Sequence, residues 1–250
     1  MRILYVFPHP DDESFGPAAA MARQRREGHE VHLLTLTRGG ATRQRHKFGY
    51  SVDEMGVVRA AEMECVAHAL DLSGMRILDL PDSGLKELDP REIEAAVQAE
   101  LVRLQPDVLV TYAVHGVSGF HDHLVTHAAV KRTFAVAREE IPRLRRLAGF
   151  TISTEEAKGG YFPLSGSTAE EIDCVVAVED VDLRRAHAAL DCYVTFQETI
   201  EKTGIKEFLG HEVRFELFQE EHDPVLDDLF SALPGGVGES RPHSAGNGLA

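Results

Sequence analysis

The chain has 250 residues, 43% of them hydrophobic, enough for one large α/β domain with a substantial core. Its formal net charge of −15, from 26 Lys and Arg against 41 Asp and Glu, argues against a nucleic-acid partner, because phosphate binding needs clustered cations. No apolar run is long enough to span a bilayer and the N-terminus lacks a signal-peptide pattern, so a cytoplasmic protein without a membrane partner is expected. Cys65, Cys174 and Cys192 lie far apart without paired spacing, which reads as three reduced core residues rather than a disulfide or zinc-knuckle set.

Apolar runs rich in β-branched residues alternate with segments of helical period, the pattern of βαβ units building a mostly parallel, Rossmann-like sheet with helices on both faces. The first strand is predicted at 2–7. A helix over 14–27 follows, with Phe15, Ala18, Ala19 and Ala22 on one face and Gly28 as its stop. Strand two is placed at 31–37. A loop to about Ser51 then carries Arg38, Arg43, Arg45, His46 and Lys47, and Asp53 is read as the cap of a helix reaching Leu70. Strand three is expected at 75–80, with Asp82 and Gly84 in the loop at its carboxyl end. Asp89-Pro90 signals a helix to about Gln105. Strand four covers 107–112, and the helix after it runs to about Glu140. Later strands are read at 147–153 and 172–178, a helix at 182–202, and an edge strand at 212–218. Residues 1–233 are taken as one domain. From Pro234 to Ala250 the composition turns to Gly, Pro, Ser and Asn, which predicts a disordered tail.

Chemistry concentrates in two clusters. Pro8-His9-Pro10-Asp11-Asp12-Glu13 stands where strand one ends, and Phe120-His121-Asp122-His123, with His127 beyond, follows strand four. In open α/β sheets ligands bind at the carboxyl ends of strands, in the crevice where strand order reverses. If strand four is the neighbour of strand one, both clusters open into that crevice. His9 and Asp12 would then face His123, and two histidines with one carboxylate leave a coordination position for water, as in catalytic zinc sites. Asp11, beside a ligand but directed elsewhere, is free to act as a base. Helix capping by these acids would account for one of them, but not for His9 or the second cluster.

The first motif resembles that of the PIG-L, or LmbE-like, family of metal-dependent N-deacetylases, and the resemblance extends more loosely over about the first 130 residues. It implies that His9, Asp12 and His123 bind the metal, zinc or another divalent ion such as iron, and that Asp11 is the general base. It also implies that Arg59, in Arg59-Ala60-Ala61-Glu62, contacts the sugar of the substrate. The second motif departs from the family's His-Pro-Asp-His: Phe120 replaces the first histidine, and His121, one residue later, is the candidate substitute as catalytic acid. Asp82 is expected to shape the substrate pocket, and the basic loop 38–47 to flank its mouth and hold an anionic substituent. His127 is read as a supporting residue.

The implied reaction is removal of an acetyl group from an N-acetylglucosamine-type amide, in an amino sugar or glycoconjugate, by water activated at the metal with Asp11 as base. Two other classes use part of this residue set. Non-haem iron oxygenases share the two-histidine, one-carboxylate triad, and a decayed metal- or sugar-binding module would account for Phe120. Neither gives Asp11 a task. The sequence leaves the oligomeric state open, including a homo-oligomer.

Overall fold

Along β1 (Arg2–Phe7) the side chains of Ile3, Tyr5 and Phe7 enter one core and those of Leu4 and Val6 another. A strand buried on both faces reads as an unbroken apolar run, the mark of a central parallel strand. The structure, a computed structural model, describes residues 1–234. Seven strands form one sheet in the order β3-β2-β1-β4-β5-β7-β6, comprising β1, β2 (Glu30–Thr37), β3 (Gly74–Leu80), β4 (Val108–Tyr112), β5 (Arg146–Thr151), β6 (Cys174–Ala177) and β7 (Glu212–Leu217). The first five are parallel, and β7 runs antiparallel to both its neighbours. β1 pairs with β4, Ile3 opposite Val108 and Tyr5 opposite Val110, so the order reverses at β1 as expected.

Helices α1 (Asp12–Phe15), α2 (Ala18–Arg26), α3 (Arg45–Phe48), α4 (Val52–Ala69), α5 (Pro90–Leu104), α6 (His121–Glu140), α7 (Thr154–Lys158), α8 (Asp180–Cys192), α9 (Gln197–Thr203) and α10 (Ile205–Phe208) surround the sheet. The core on one face gathers Ala18 to Ala22 of α2, Met63 and Val66 of α4, and Ala186, Ala189 and Leu190 of α8. The opposite core takes Ile93, Val97 and Leu101 of α5 with Val130, Phe134 and Ala137 of α6. Helices therefore cover both faces. Among the described residues, no helix is long and apolar enough to cross a membrane.

Several local expectations are corrected. The helix expected over 14–27 is two helices broken at Gly16-Pro17, where Gly16 leaves the helical conformation (φ −125°, ψ −111°) and proline has no N–H to donate to the preceding turn. Ser51, not Asp53, caps α4, in a reciprocal capping box with Glu54. The helix expected at 182–202 stops at Cys192, and a 3₁₀ turn over Val194–Phe196 leads into α9. β7 alternates in burial like an edge strand but sits between β5 and β6. Cys65 and Cys192 form a disulfide across α4 and α8, 127 positions apart, leaving only Cys174 free and buried. Sequence spacing gave no sign of that pair, since the proximity is created by helix packing. The expected disordered tail, Pro234 apart, lies outside the described residues.

Candidate active site

The turn after β1 folds back tightly. Asp11 adopts φ 85°, a left-handed conformation that Asp tolerates better than most residues, and the His9 backbone N–H donates to Asp12 Oδ2 at 2.8 Å. Because β4 adjoins β1, α6 brings the second cluster onto this turn. His123 Nε2 lies 3.2 Å from Asp12 Oδ1, and the rings of His9 and His123 are 5.5 Å apart. One donor atom from each of His9, Asp12 and His123 falls within 4.8 Å of the others.

Each imidazole is oriented from behind. His123 donates from Nδ1 to the Gly116 carbonyl at 2.9 Å, which leaves Nε2 as the lone-pair atom facing Asp12. The ring stacks on Tyr112 at 4.3 Å. His9 turns Nε2 to Asp122 Oδ2 at 3.1 Å and to Asp82 Oδ1 at 3.4 Å, so its Nδ1 is the atom toward Asp12, 3.5 Å away. Metal-binding histidines are commonly held this way by a carboxylate or carbonyl on the second nitrogen, which sets the tautomer. By donor type and second-nitrogen partners, the set fits a divalent metal.

The electrostatics agree with that fit. Burial opposes charge on His9, but the hydrogen bonds with Asp12 and Asp122 prevail and push it up to about 10. The same carboxylates would attract a cation. Asp12 is buried too, yet the neighbouring His123 and His9 imidazoles hold its carboxyl well below the usual range, and Tyr112 donates to Asp12 Oδ1 at 2.8 Å.

Asp11 is differently placed. Burial pushes its carboxyl up to about 6, against the lowering effect of Arg59. Arg59 Nη2 donates to Asp11 Oδ2 at 2.6 Å and to the Pro10 carbonyl at 2.9 Å, and its guanidinium lies 3.9 Å from the Phe196 ring centre. Among the described residues, Asp11 Oδ1 takes part in no hydrogen bond, so it is the oxygen left for a proton. The Asp11 backbone N–H donates to the Tyr193 hydroxyl at 2.8 Å, and Tyr193 in turn donates to Glu13 Oε1 at 2.6 Å. Glu62 accepts from the N–H and hydroxyl of Thr195, which joins α4 to the turn carrying Phe196.

Arg59, expected at the sugar, is buried and committed to Asp11. Asp82, expected to line the substrate pocket, backs His9 and accepts from the Ala41 N–H at 2.6 Å. His121 is exposed on the first turn of α6, next to the exposed Phe120. His127 hydrogen-bonds the Tyr112 carbonyl from Nδ1, 2.8 Å away, a supporting position as read. In the basic loop Arg38 pairs with Asp79, Arg45 reaches the carbonyls of Ala41 and Thr42, and Lys47 pairs with Glu198, while Arg43 and His46 are exposed. Tyr112, Asp122 and Tyr193 were given no role from sequence. Tyr112 ends strand four and Asp122 lies inside the second motif, so both carried a positional signal. Tyr193 carried none.

Residues 4–134, just over half of the chain, match the family model described as PIG-L, GlcNAc-PI de-N-acetylase. The chain belongs to the PIG-L family. Among curated relatives, a 1D-myo-inositol 2-acetamido-2-deoxy-alpha-D-glucopyranoside deacetylase of Kineococcus radiotolerans is 36% identical over 163 residues, 54% of this chain and 45% of that protein. A protein of the same name from Mycobacterium sp. (strain JLS) is 26% identical over 220 residues, 80% of this chain and 70% of that one. The chain thus spans about half the length of the Kineococcus relative. Of solved structures, a deacetylase in the biosynthesis pathway of teicoplanin superposes with a TM-score of 0.67 at 15% identity, covering 87% of this chain and 97% of the other. The 4-carboxy-2-hydroxymuconate hydratase GalB of Pseudomonas putida superposes at 0.64 with 12% identity, over 88% and 97% of the two chains. This PIG-L fold therefore carries more than one reaction, and the chemistry must be argued from the site.

Proposed function

We propose that this PIG-L protein is a zinc-dependent N-deacetylase that releases acetate from an N-acetylglucosamine-type amide, with His9, Asp12 and His123 as the metal ligands. The observation that carries the reading is the convergence of those three donors within 4.8 Å, beside a carboxylate, Asp11, whose outer oxygen is free. Two imidazoles and a carboxylate suit zinc, although the same set accepts iron. A bound divalent metal would supply a Lewis acid for the amide carbonyl and lower the pKa of an adjacent water.

The chain's own groups supply the proton transfers. Asp11 Oδ1 takes a proton from water as the water oxygen bonds to the acetyl carbon. As the C–N bond breaks, the same oxygen delivers that proton to the departing nitrogen, giving acetate and a free amine. Arg59 fixes Asp11 through Oδ2, which leaves Oδ1 without a hydrogen-bond partner among the described residues and favours the ionised carboxylate. Tyr193 holds the backbone of the same residue. We assign both transfers to Asp11 because His121 lies exposed at the start of α6, and we assign Arg59 and Asp82 to positioning. The amine-sugar specificity is supported by the names of the curated relatives and by the family description.

The test is acetate release from N-acetylglucosaminyl-inositol and simpler N-acetylglucosamine derivatives, using protein stripped of metal and then reloaded with zinc. Zinc-dependent release that Asp11→Asn abolishes is expected. Zinc uptake without acetate release from any of these amides would leave a binding module instead.

A further inference from the structure

The loop between β4 and α6 contains a strained residue that the ligand set alone does not explain. Val117 sits at φ 57°, a left-handed conformation that a β-branched residue avoids and that persists only where the surroundings impose it. Its carbonyl accepts from the Ser165 N–H at 2.8 Å, and its own N–H donates to His115 Nδ1 at 3.0 Å. The peptide unit joining Gly116 to Val117 is therefore gripped on both sides. A trans peptide points its N–H and C=O in opposite directions; here the N–H meets His115, and the C=O accepts from His123 Nδ1 and, across a local turn, from the Ser118 N–H at 2.7 Å. Gly116 permits that approach, since at φ 65° an added Cβ would lie 2.9 Å from the His123 Cβ.

His115 is itself fixed from the opposite side. Accepting at Nδ1 places its proton on Nε2, which lies 3.2 Å from both Thr151 Oγ1 and Ser167 Oγ. Those hydroxyls are 2.6 Å apart, and Ser167 donates to Glu216 Oε1 at 2.5 Å. The chain of donors is directional from imidazole to carboxylate, and it ties the loop to β5 and β7.

We propose that His115 is a positioning residue for the metal: by holding the Gly116–Val117 peptide against its strain, it sets the tautomer and ring orientation of His123. This rests on the reading of His123 as a metal ligand. Isothermal titration of metal-free, full-length protein with zinc tests it. His115→Leu should weaken zinc binding about 10- to 100-fold, the usual effect of losing a group that orients a ligand. His115→Asn, whose side-chain oxygen can accept the Val117 N–H, should keep most of the affinity. Val117→Gly should restore most of the loss in the Leu background, because glycine takes the left-handed conformation freely. Should His115→Leu alone not fold, the double variant is expected to fold and bind. Wild-type affinity in His115→Leu, or a loss that neither Asn nor the glycine repairs, overturns the inference alone. A wild type that takes up no zinc overturns the deacetylase reading and this inference with it.

Discussion

Arg59→Met should convert the proposed base into a group that is protonated at neutral pH. The guanidinium and the Asp11 carboxylate are both largely buried, in contact at 2.6 Å. With charge centres roughly 4 Å apart and an effective dielectric near 20, the attraction is about 4 kcal/mol, equivalent to about three pH units. Burial already pushes Asp11 up to about 6 with Arg59 in place, so its removal should move the carboxyl to roughly 8–9 by the same arithmetic. The sign follows from the role. A base must be deprotonated, so activity is lost as pH falls through its pKa, and raising the pKa moves that loss to higher pH. At pH 7 the ionised fraction should drop from about nine-tenths to between one-tenth and one-hundredth, with kcat/KM falling about 10- to 100-fold and largely recovering by pH 9. A bound cation lowers the acid limb of both proteins, so the difference between the two profiles is the quantity to measure. Breaking a buried ion pair costs about 3–5 kcal/mol, and thermal melting must show that the variant is folded under assay conditions. An unmoved acid limb with raised KM and wild-type kcat would refute the reasoning and return Arg59 to the sugar.

Asp11→Asn should retain zinc, measured by metal analysis, yet lose about 10²- to 10⁴-fold in turnover; normal turnover would remove Asp11 as base. Tyr112→Phe deletes the 2.8 Å hydrogen bond to Asp12 and should weaken zinc binding by about tenfold, whereas unchanged binding would make that hydroxyl irrelevant to the ligand. His121→Ala should keep kcat near wild type, and a loss of about a hundredfold or more, the scale of a missing general acid, would reinstate it. Reduction of Cys65–Cys192, whose exposed Cys65 is open to a thiol, should lower stability by about 4–5 kcal/mol for a loop of this length. Chemical denaturation with and without reductant reads it, and coincident curves would contradict the cross-link.

The centre of the sheet and the convergence of the two histidine and carboxylate clusters were legible because they depend on local signals. β1 and β4 are short, largely apolar runs whose following loops lead into histidine and carboxylate clusters, and the topology rule for open sheets brings such loops together. What the sequence hid depends on tertiary contact. Arg59 reads as a substrate-facing helix residue because nothing near it in sequence discloses that Phe196 and Tyr193 close over it. Asp82 and Asp122 were visible as acids, but their place behind His9 follows from the way the loop after β3 docks on α6, through the N–H groups of Ser83 and Leu85. The alternation in β7 reported a strand correctly while saying nothing of its neighbours on either side.

That interior place of β7 bears on how the molecule is made. The three proposed metal ligands, His9, Asp12 and His123, all precede β5, and β1 to β5 can pair as they leave the ribosome. β6 cannot join them directly: its seat in the sheet exists only after Glu212–Leu217 has been synthesised and has docked on β5. Tyr193 and Phe196, which close over Arg59, emerge between those two strands. A nascent chain can thus bring His9, Asp12 and His123 together before Tyr193, which holds the Asp11 backbone, has been synthesised.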